Sequence, residues 1–131
     1  VESYSMDSDG RIRTRFTFRE GSFDGELQEY NPVGFVMDPV SNATWGMQFV
    51  WPIKADYRVV YLDDEYSVTV IGREARDYVW IMSRTPALAA EEYDEIIQFV
   101  DSIGYDTSKI KRVPQSWPQQ QTSELLKRDS I

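Results

Sequence analysis

The chain has 131 residues, a formal net charge of -8, and neither cysteine nor histidine. This length fits a single domain, and a hydrophobic fraction of 41%, with 14% aromatic residues, is enough for a real core. The composition excludes disulfides, thiol chemistry, nucleophile–histidine pairs and the usual zinc ligands within these residues. The acidic balance argues against nucleic-acid binding, because that affinity depends largely on neutralising phosphates.

Seven strand-like segments come first in the chain. They are separated by turn-forming residues at intervals typical of an antiparallel barrel or sandwich. In chain order they cover Val1–Met6, Arg11–Phe18, Glu26–Met37, Thr44–Trp51, Tyr57–Leu62, Tyr66–Ile71 and Asp77–Arg84. Since a strand pattern starts at Val1, we expect that a preceding segment was removed.

The second predicted strand, Arg11–Phe18, alternates without a break. Ile12, Thr14, Phe16 and Phe18 share one face, and the arginines share the other. A basic stripe beside aromatics can indicate nucleic-acid binding, but here the two kinds of side chain lie on opposite faces. A solvated outer face is therefore the better interpretation.

Two further segments carry local signals. Pro32 and Gly34 interrupt Glu26–Met37, which predicts an edge or bulged strand. The acidic run Asp63–Glu65 lacks the alternating spacing and glycine of a calcium loop, so it predicts a solvated turn and no metal site. No apolar run reaches the roughly 20 residues of a membrane span, and no signal peptide is evident.

The pattern changes to a helical period after Pro86. Tyr93, Ile96, Ile97 and Val100 recur at helical spacing, which predicts a helix over about 87–103 that ends near Gly104. Ile110–Val113 could form a short extra strand. We expect a first region, 1–113, that contains the strands and the helix, followed by a polar, mostly disordered tail over 114–131.

Several motifs resemble those of the lipocalin family. They are the D-Y-V-W-I-M-S-R-T-P run of Asp77–Pro86, the segment Asp56–Asp63, the triplet Asp64-Glu65-Tyr66 and the segment Gly104–Lys109. The nearest group contains bacterial outer-membrane lipocalins, plant temperature-induced lipocalins and apolipoprotein D. The resemblance covers most of Val1 to Ser116.

The resemblance implies an all-β calycin fold: an antiparallel, up-and-down barrel with one C-terminal helix packed outside. It also implies structural roles for Tyr66 and for Arg84, which matches the family's single conserved-motif arginine and would cap the barrel floor. The family's first motif, Gly-x-Trp, is missing, so Val1 aligns with the second barrel strand. Without the first strand the barrel would have open strand edges. Open edges invite pairing with a second chain, and a homodimer is one expectation.

A barrel of this kind encloses a cavity for one small ligand. The alternation and the resemblance together predict an inward-facing, ligand-binding set and an outward-facing set. The inward set is Tyr4, Ile12, Thr14, Phe16, Met47, Phe49, Tyr57, Val59, Tyr61, Val68, Val70, Tyr78, Trp80 and Met82. The outward set is Val60, Leu62, Thr69, Ile71, Val79 and Ile81.

The leading functional hypothesis is a non-enzymatic carrier of small hydrophobic ligands such as fatty acids or lysophospholipids, with no cofactor. For a bacterial member, the resemblance implies an anchored outer-membrane or periplasmic lipoprotein; otherwise it implies a secreted or membrane-associated protein. Two alternatives stay open. One is a lipocalin-scaffold enzyme that acts on a lipid, limited to tyrosine and carboxylate acid–base chemistry. The other is a filled barrel, with ordinary packed core inside, that binds a protein.

Overall fold

The computed structural model describes residues 1–50 and 52–115. It contains eight strands, one α-helix and a 3₁₀ turn. The strands are β1 (Glu2–Met6), β2 (Ile12–Arg19), β3 (Leu27–Tyr30), β4 (Val33–Val36), β5 (Thr44–Val50), β6 (Ile53–Leu62), β7 (Val68–Gly72) and β8 (Trp80–Ser83). The helix α1 covers Ala90–Ser102, and the 3₁₀ turn covers Thr107–Lys109. None of the helices in this part of the chain is long and apolar enough to cross a membrane.

The strands form one antiparallel sheet that curls into a half-barrel. Its order is β1-β2-β4-β5-β6-β7-β8, and β3 pairs with β2 beside that path. Neighbours along the chain are neighbours in the sheet, as the up-and-down prediction required, except that β3 and β4 both pair with β2. The all-β antiparallel fold with a single late helix is confirmed.

The weak third strand of the sequence divides into β3 and β4 on either side of Asn31 and Pro32. Both pieces pair with β2: Phe16 lies opposite Tyr30, and Ile12 lies opposite Gly34. Proline has no N–H to donate, but the Pro32 carbonyl accepts a hydrogen bond from the Thr14 N–H at 3.3 Å. The predicted interruption is thus a break between two short strands that share one partner.

The chain separates into two compact units, and the second begins at Ser83. In the second unit, α1 has glutamates in its first turn, where the positive end of the helix dipole stabilises them. Gly104, at φ 100°, follows the helix, and its N–H bonds to the Asp101 carbonyl at 3.0 Å. The Arg112 guanidinium lies 3.8 Å from the Tyr93 ring centroid.

The strand predicted at Ile110–Val113 is wrong. The 3₁₀ turn directly precedes it, and these four residues have no strand pairing in the described chain. The Asp106 carboxylate accepts hydrogen bonds from the Ser108 N–H and hydroxyl, which favours a local turn over extension. The packing of α1 outside the sheet stays a prediction, and the tail predicted over 114–131 lies outside the described residues from 116 on.

A bulge in β6 changes which side chains face the interior. Val59 pairs with Ile71, but Tyr61 pairs with Val70, so β6 has one more residue than β7 over this stretch. Because adjacent residues of a strand point to opposite faces, Val70 and Tyr61 lie on the face opposite Ile71. Val68, two residues before Val70, shares its face.

The prediction that Leu62, Thr69 and Ile71 face outward is therefore wrong, as is the inward placement of Tyr61, Val68 and Val70. Ile71 packs in a buried cluster with Met47 and Tyr57, and Trp45, Val59 and Met82 pack against this cluster. Val68 and Val70 are also buried, but on the other face. Strict alternation fails here because the extra residue of the bulge inverts the faces beyond it.

Candidate ligand cavity

The first unit contains a cavity of about 280 Å³ on the concave side of the sheet. Strands β1, β2, β5, β6 and β8 and the neighbouring loops supply its walls. The lining residues are Glu2, Thr14, Phe16, Pro32, Met47, Phe49, Ala55, Asp56, Tyr57, Arg73, Tyr78 and Trp80. Of the predicted inward set, the structure brings seven together at this cavity: Thr14, Phe16, Met47, Phe49, Tyr57, Tyr78 and Trp80.

A row of stacked aromatic rings runs from Trp45, on the core cluster, to the cavity-lining residues Tyr57, Trp80 and Tyr78. Trp45 stacks on Tyr57 with centroids 5.3 Å apart, Tyr57 on Trp80 at 6.2 Å, and Trp80 on Tyr78 at 5.9 Å. Strand alternation explains this row, since Trp45 and Tyr57 are directly paired on β5 and β6. Trp80 is 40% exposed and Tyr78 59% exposed, so this end of the row is accessible, whereas Tyr57 is buried in the core cluster.

A polar network lies on the β1 side of the cavity. The Tyr4 hydroxyl donates to a Glu2 carboxylate oxygen and lies 2.5 Å from the Tyr57 hydroxyl. Burial, with Tyr57 and Glu2 close by, raises the pKa of Tyr4 above its ordinary value, and burial and Glu2 do the same for the pKa of Tyr57. Both phenols therefore stay protonated at neutral pH and can act as hydrogen-bond donors.

A second charged group sits where the β7–β8 loop meets the cavity. Arg73 pairs with Asp77 at 2.9 Å, and its guanidinium carbon lies 5.7 Å from the Tyr78 ring centroid. Asp56 pairs with Arg58 at 3.0 Å and accepts a hydrogen bond from the Glu74 N–H at 2.8 Å. Partial burial opposes ionisation of Asp56, but these bonds, Arg58 and Arg73 together lower the pKa of its carboxyl, which stays charged.

The other predicted ligand-binding residues lie elsewhere. Tyr4 belongs to the polar network, Val59 and Met82 pack on the core cluster, and Ile12 is buried without lining the cavity. Tyr61 and Val70 lie on the opposite face, as described above.

Five lining residues were missed by the sequence analysis: Glu2, Pro32, Ala55, Asp56 and Arg73. A signal existed for Glu2, because it alternates with Tyr4 on β1 and pairs with the inward Phe16. A signal also existed for Ala55, which precedes Tyr57 by two residues within β6. Asp56 lies between them on β6, and Pro32 and Arg73 line the cavity from outside the strands, so alternation gives no guide to these three.

The residues predicted to be structural have different settings. Tyr66 lies in the β6–β7 turn with φ 56°, and its N–H bonds to the Asp63 carbonyl at 3.1 Å. Arg84 belongs to the second unit and takes part in an interaction. The Asp63 carboxylate accepts bonds from the N–H groups of Ser67 and Val68, so the acidic run forms a turn stabilised by side-chain bonds. Within the described residues, no group of acidic side chains is arranged to hold a metal ion.

Comparison with known proteins agrees with this architecture. The profile of the family described as "Lipocalin-like domain" matches residues 1–115. The chain is 40% identical to temperature-induced lipocalin-1 of Arabidopsis thaliana over 65 residues, and this alignment covers 50% of this chain and 35% of that protein. It is 35% identical to outer membrane lipoprotein Blc of Escherichia coli (strain K12) over 91 residues, and this alignment covers 70% of this chain and 51% of that protein.

The chain therefore spans about half the length, or less, of these curated relatives. Among solved structures, lobster apocrustacyanin A1 superposes with a TM-score of 0.67 at 18% identity, covering 92% of this chain and 69% of the other. Apocrustacyanin C1 superposes with a TM-score of 0.66 at 19% identity. These two likenesses show the fold, and the profile match extends over most of the sequence. The chain belongs to the lipocalin family.

Proposed function

We propose that the chain is a non-enzymatic binder and carrier of small hydrophobic ligands, held in the cavity of the first unit. The observation that carries this proposal is a cavity with an aromatic wall, in which Tyr57 is buried at the base and Trp80 and Tyr78 are partly exposed. Apolar walls with a few convergent polar groups are typical of small-molecule sites. Family membership supports the same use of the concave face.

The size of the cavity favours a single-chain ligand. A volume of about 280 Å³ lies near the lower end of the ~300–1,000 Å³ usual for ligand pockets. Fatty acids and lysophospholipids have one chain, whereas a diacyl lipid needs more room. Burying about ten methylenes gives roughly 8 kcal/mol gross, before the cost of immobilising the ligand. A hydrogen bond from the polar network to the head group would then bring the affinity to about micromolar.

An enzymatic role is disfavoured by the site chemistry. Burial and Glu2 raise the pKa values of Tyr4 and Tyr57, so both stay protonated at neutral pH and are poor general bases. A filled-barrel interaction module is disfavoured by the void itself. The interaction module would gain support if no small ligand bound, whereas conversion of a bound lipid would support the enzyme.

The direct test uses decanol, a neutral single-chain probe, in two titrations. One follows the tryptophan fluorescence of the protein, and the other follows displacement of a bound dye. Decanol should displace the neutral dye N-phenyl-1-naphthylamine with a dissociation constant of about micromolar. Absence of both dye binding and decanol binding by the folded chain would refute the carrier function and favour the interaction module.

Two further parts of the proposal concern location and assembly. The relatives named Blc are outer membrane lipoproteins, which supports an outer-membrane or periplasmic location if the source is bacterial. Strands β1 and β8 end the sheet path, each with one edge that pairs with no other strand of residues 1–50 and 52–115, which supports a homodimer formed by strand pairing. Light scattering tests the dimer: a monomeric mass across the concentration range would exclude it.

A further inference from the structure

The charged groups that line the cavity are not equally compensated. Arg73 already faces two carboxylates, because it pairs with Asp77 and also lowers the pKa of Asp56. Asp56 in turn pairs with Arg58. Each of these charges has a partner of opposite sign within the protein, so none of them requires one from a ligand.

Glu2 differs from these groups. Its Oε2 atom accepts hydrogen bonds from the hydroxyls of Tyr4 and Tyr57, the latter at 3.5 Å. These neutral phenols orient the carboxylate, but no arginine or lysine of residues 1–50 and 52–115 pairs with it. The side chain is half-buried and lines the cavity. A carboxylate that is partly removed from water and lacks a counter-charge is an electrostatic cost that a cationic ligand would relieve.

The remaining lining suits the same kind of head group. Phe16, Tyr57 and Trp80 line the same cavity as the Glu2 carboxylate, and aromatic rings combined with a carboxylate attract ammonium groups through cation–π and charge interactions. The Tyr78 ring is already accompanied by a cation of the protein, the Arg73 guanidinium. An anionic head group would instead meet a cavity that holds two carboxylates and one guanidinium, on a chain of net charge -8.

We infer that the cavity selects single-chain amphiphiles whose head group carries a cationic ammonium, with Glu2 as the counter-charge. The inference rests on the proposed carrier function and names the ligand class of that same cavity. It makes Glu2 a specificity residue that sets which head group is accepted, while the aromatic lining binds the hydrocarbon chain of every ligand.

The test compares three probes of equal chain length: decyltrimethylammonium, decanol and decanoate, each below its micelle-forming concentration. Calorimetric titration of the full chain should rank their affinities in that order. Glu2→Gln should weaken decyltrimethylammonium about tenfold, as expected for loss of a partly desolvated charge contact, and should leave decanol unchanged. The same variant should reduce the difference in affinity between decyltrimethylammonium and decanoate.

Glu65→Gln is the matched control, because it changes the net charge equally at an exposed turn beyond the far end of β6. An equal loss in both variants would overturn the inference in favour of general attraction to an acidic protein. Tighter binding of decanoate than of decyltrimethylammonium would also overturn it while leaving the carrier function in place. Failure of all three probes would refute the carrier function itself, and the inference with it.

Discussion

The parts of β6 before and after the bulge place their side chains on different faces of the sheet, because the bulge adds one residue to this strand. Before the bulge, Tyr57 and Val59 lie on the concave face with Met47 and Trp45, and Tyr57 lines the cavity. After it, Tyr61 lies on the opposite face with the fully buried Val70. The bulge therefore restricts the concave side chains of this regular alternation to the part of β6 before Tyr61, and β6 supplies Ala55, Asp56 and Tyr57 to the cavity lining.

The largest expected effect is at the boundary between these halves. Ile71 is 2% exposed and packs on the concave cluster, so Ile71→Ala should lower the free energy of unfolding by about 2–5 kcal/mol. Urea denaturation measures the loss. The control is Ile53→Ala, at a residue 69% exposed, which should change stability by less than about 0.5 kcal/mol. Similar losses in the two variants would contradict the assignment of Ile71 to the interior.

The next effect separates ligand binding from stability. Trp80→Leu removes a half-exposed ring from the cavity wall and should weaken decanol about tenfold, or ~1.4 kcal/mol, with the fold intact. Tyr61→Phe, on the other face, should leave decanol affinity unchanged. Displacement of N-phenyl-1-naphthylamine measures both affinities, and circular dichroism checks the fold. Weaker binding in the Tyr61 variant would return that residue to the cavity.

The smallest effect concerns the turn that follows the second half of β6. Hydrogen bonds from the Ser67 hydroxyl and from the N–H groups of Val68 and Ser67 lower the pKa of Asp63 below its ordinary value near 3.8. Because the folded pKa is the lower one, this stabilisation is present above about pH 4 and is lost as the pH falls through the folded value. Asp63→Asn should therefore flatten the acid limb of stability. Thermal unfolding between pH 2 and pH 6 checks this, because the melting temperature of the variant should fall less steeply towards low pH than that of the parent chain. An equally steep fall in both proteins would contradict the prediction.

Sequence patterns predicted the sheet well where a strand is regular. Arg11–Phe18 gave correct faces, because Ile12 and Thr14 are buried while the arginines are exposed. The change of period after Pro86 located α1 to within a few residues. These features depend on local side-chain order, which the sequence shows directly.

The candidate site was only partly predictable for a physical reason. The bulge arises from pairing between β6 and β7, and nothing in Val59-Val60-Tyr61 distinguishes it from regular alternation. Arg73 reaches the cavity from the loop after β7, and Asp56 is held near it by the Glu74 N–H, a contact distant in sequence. Glu2 could have been assigned from its alternation with Tyr4, but its position beside the Tyr57 hydroxyl required the fold.

The most direct test of the cavity is photo-crosslinking with a diazirine-bearing decanol analogue, followed by mass spectrometry of the labelled peptides. We predict saturable labelling that is concentrated on Phe16, Phe49 and Trp80, that excess decanol suppresses, and that is absent from the Val68–Val70 segment. Labelling mainly on Val68–Val70, or unsaturable labelling of exposed residues such as Ile53, would contradict a ligand site on the concave face before the bulge.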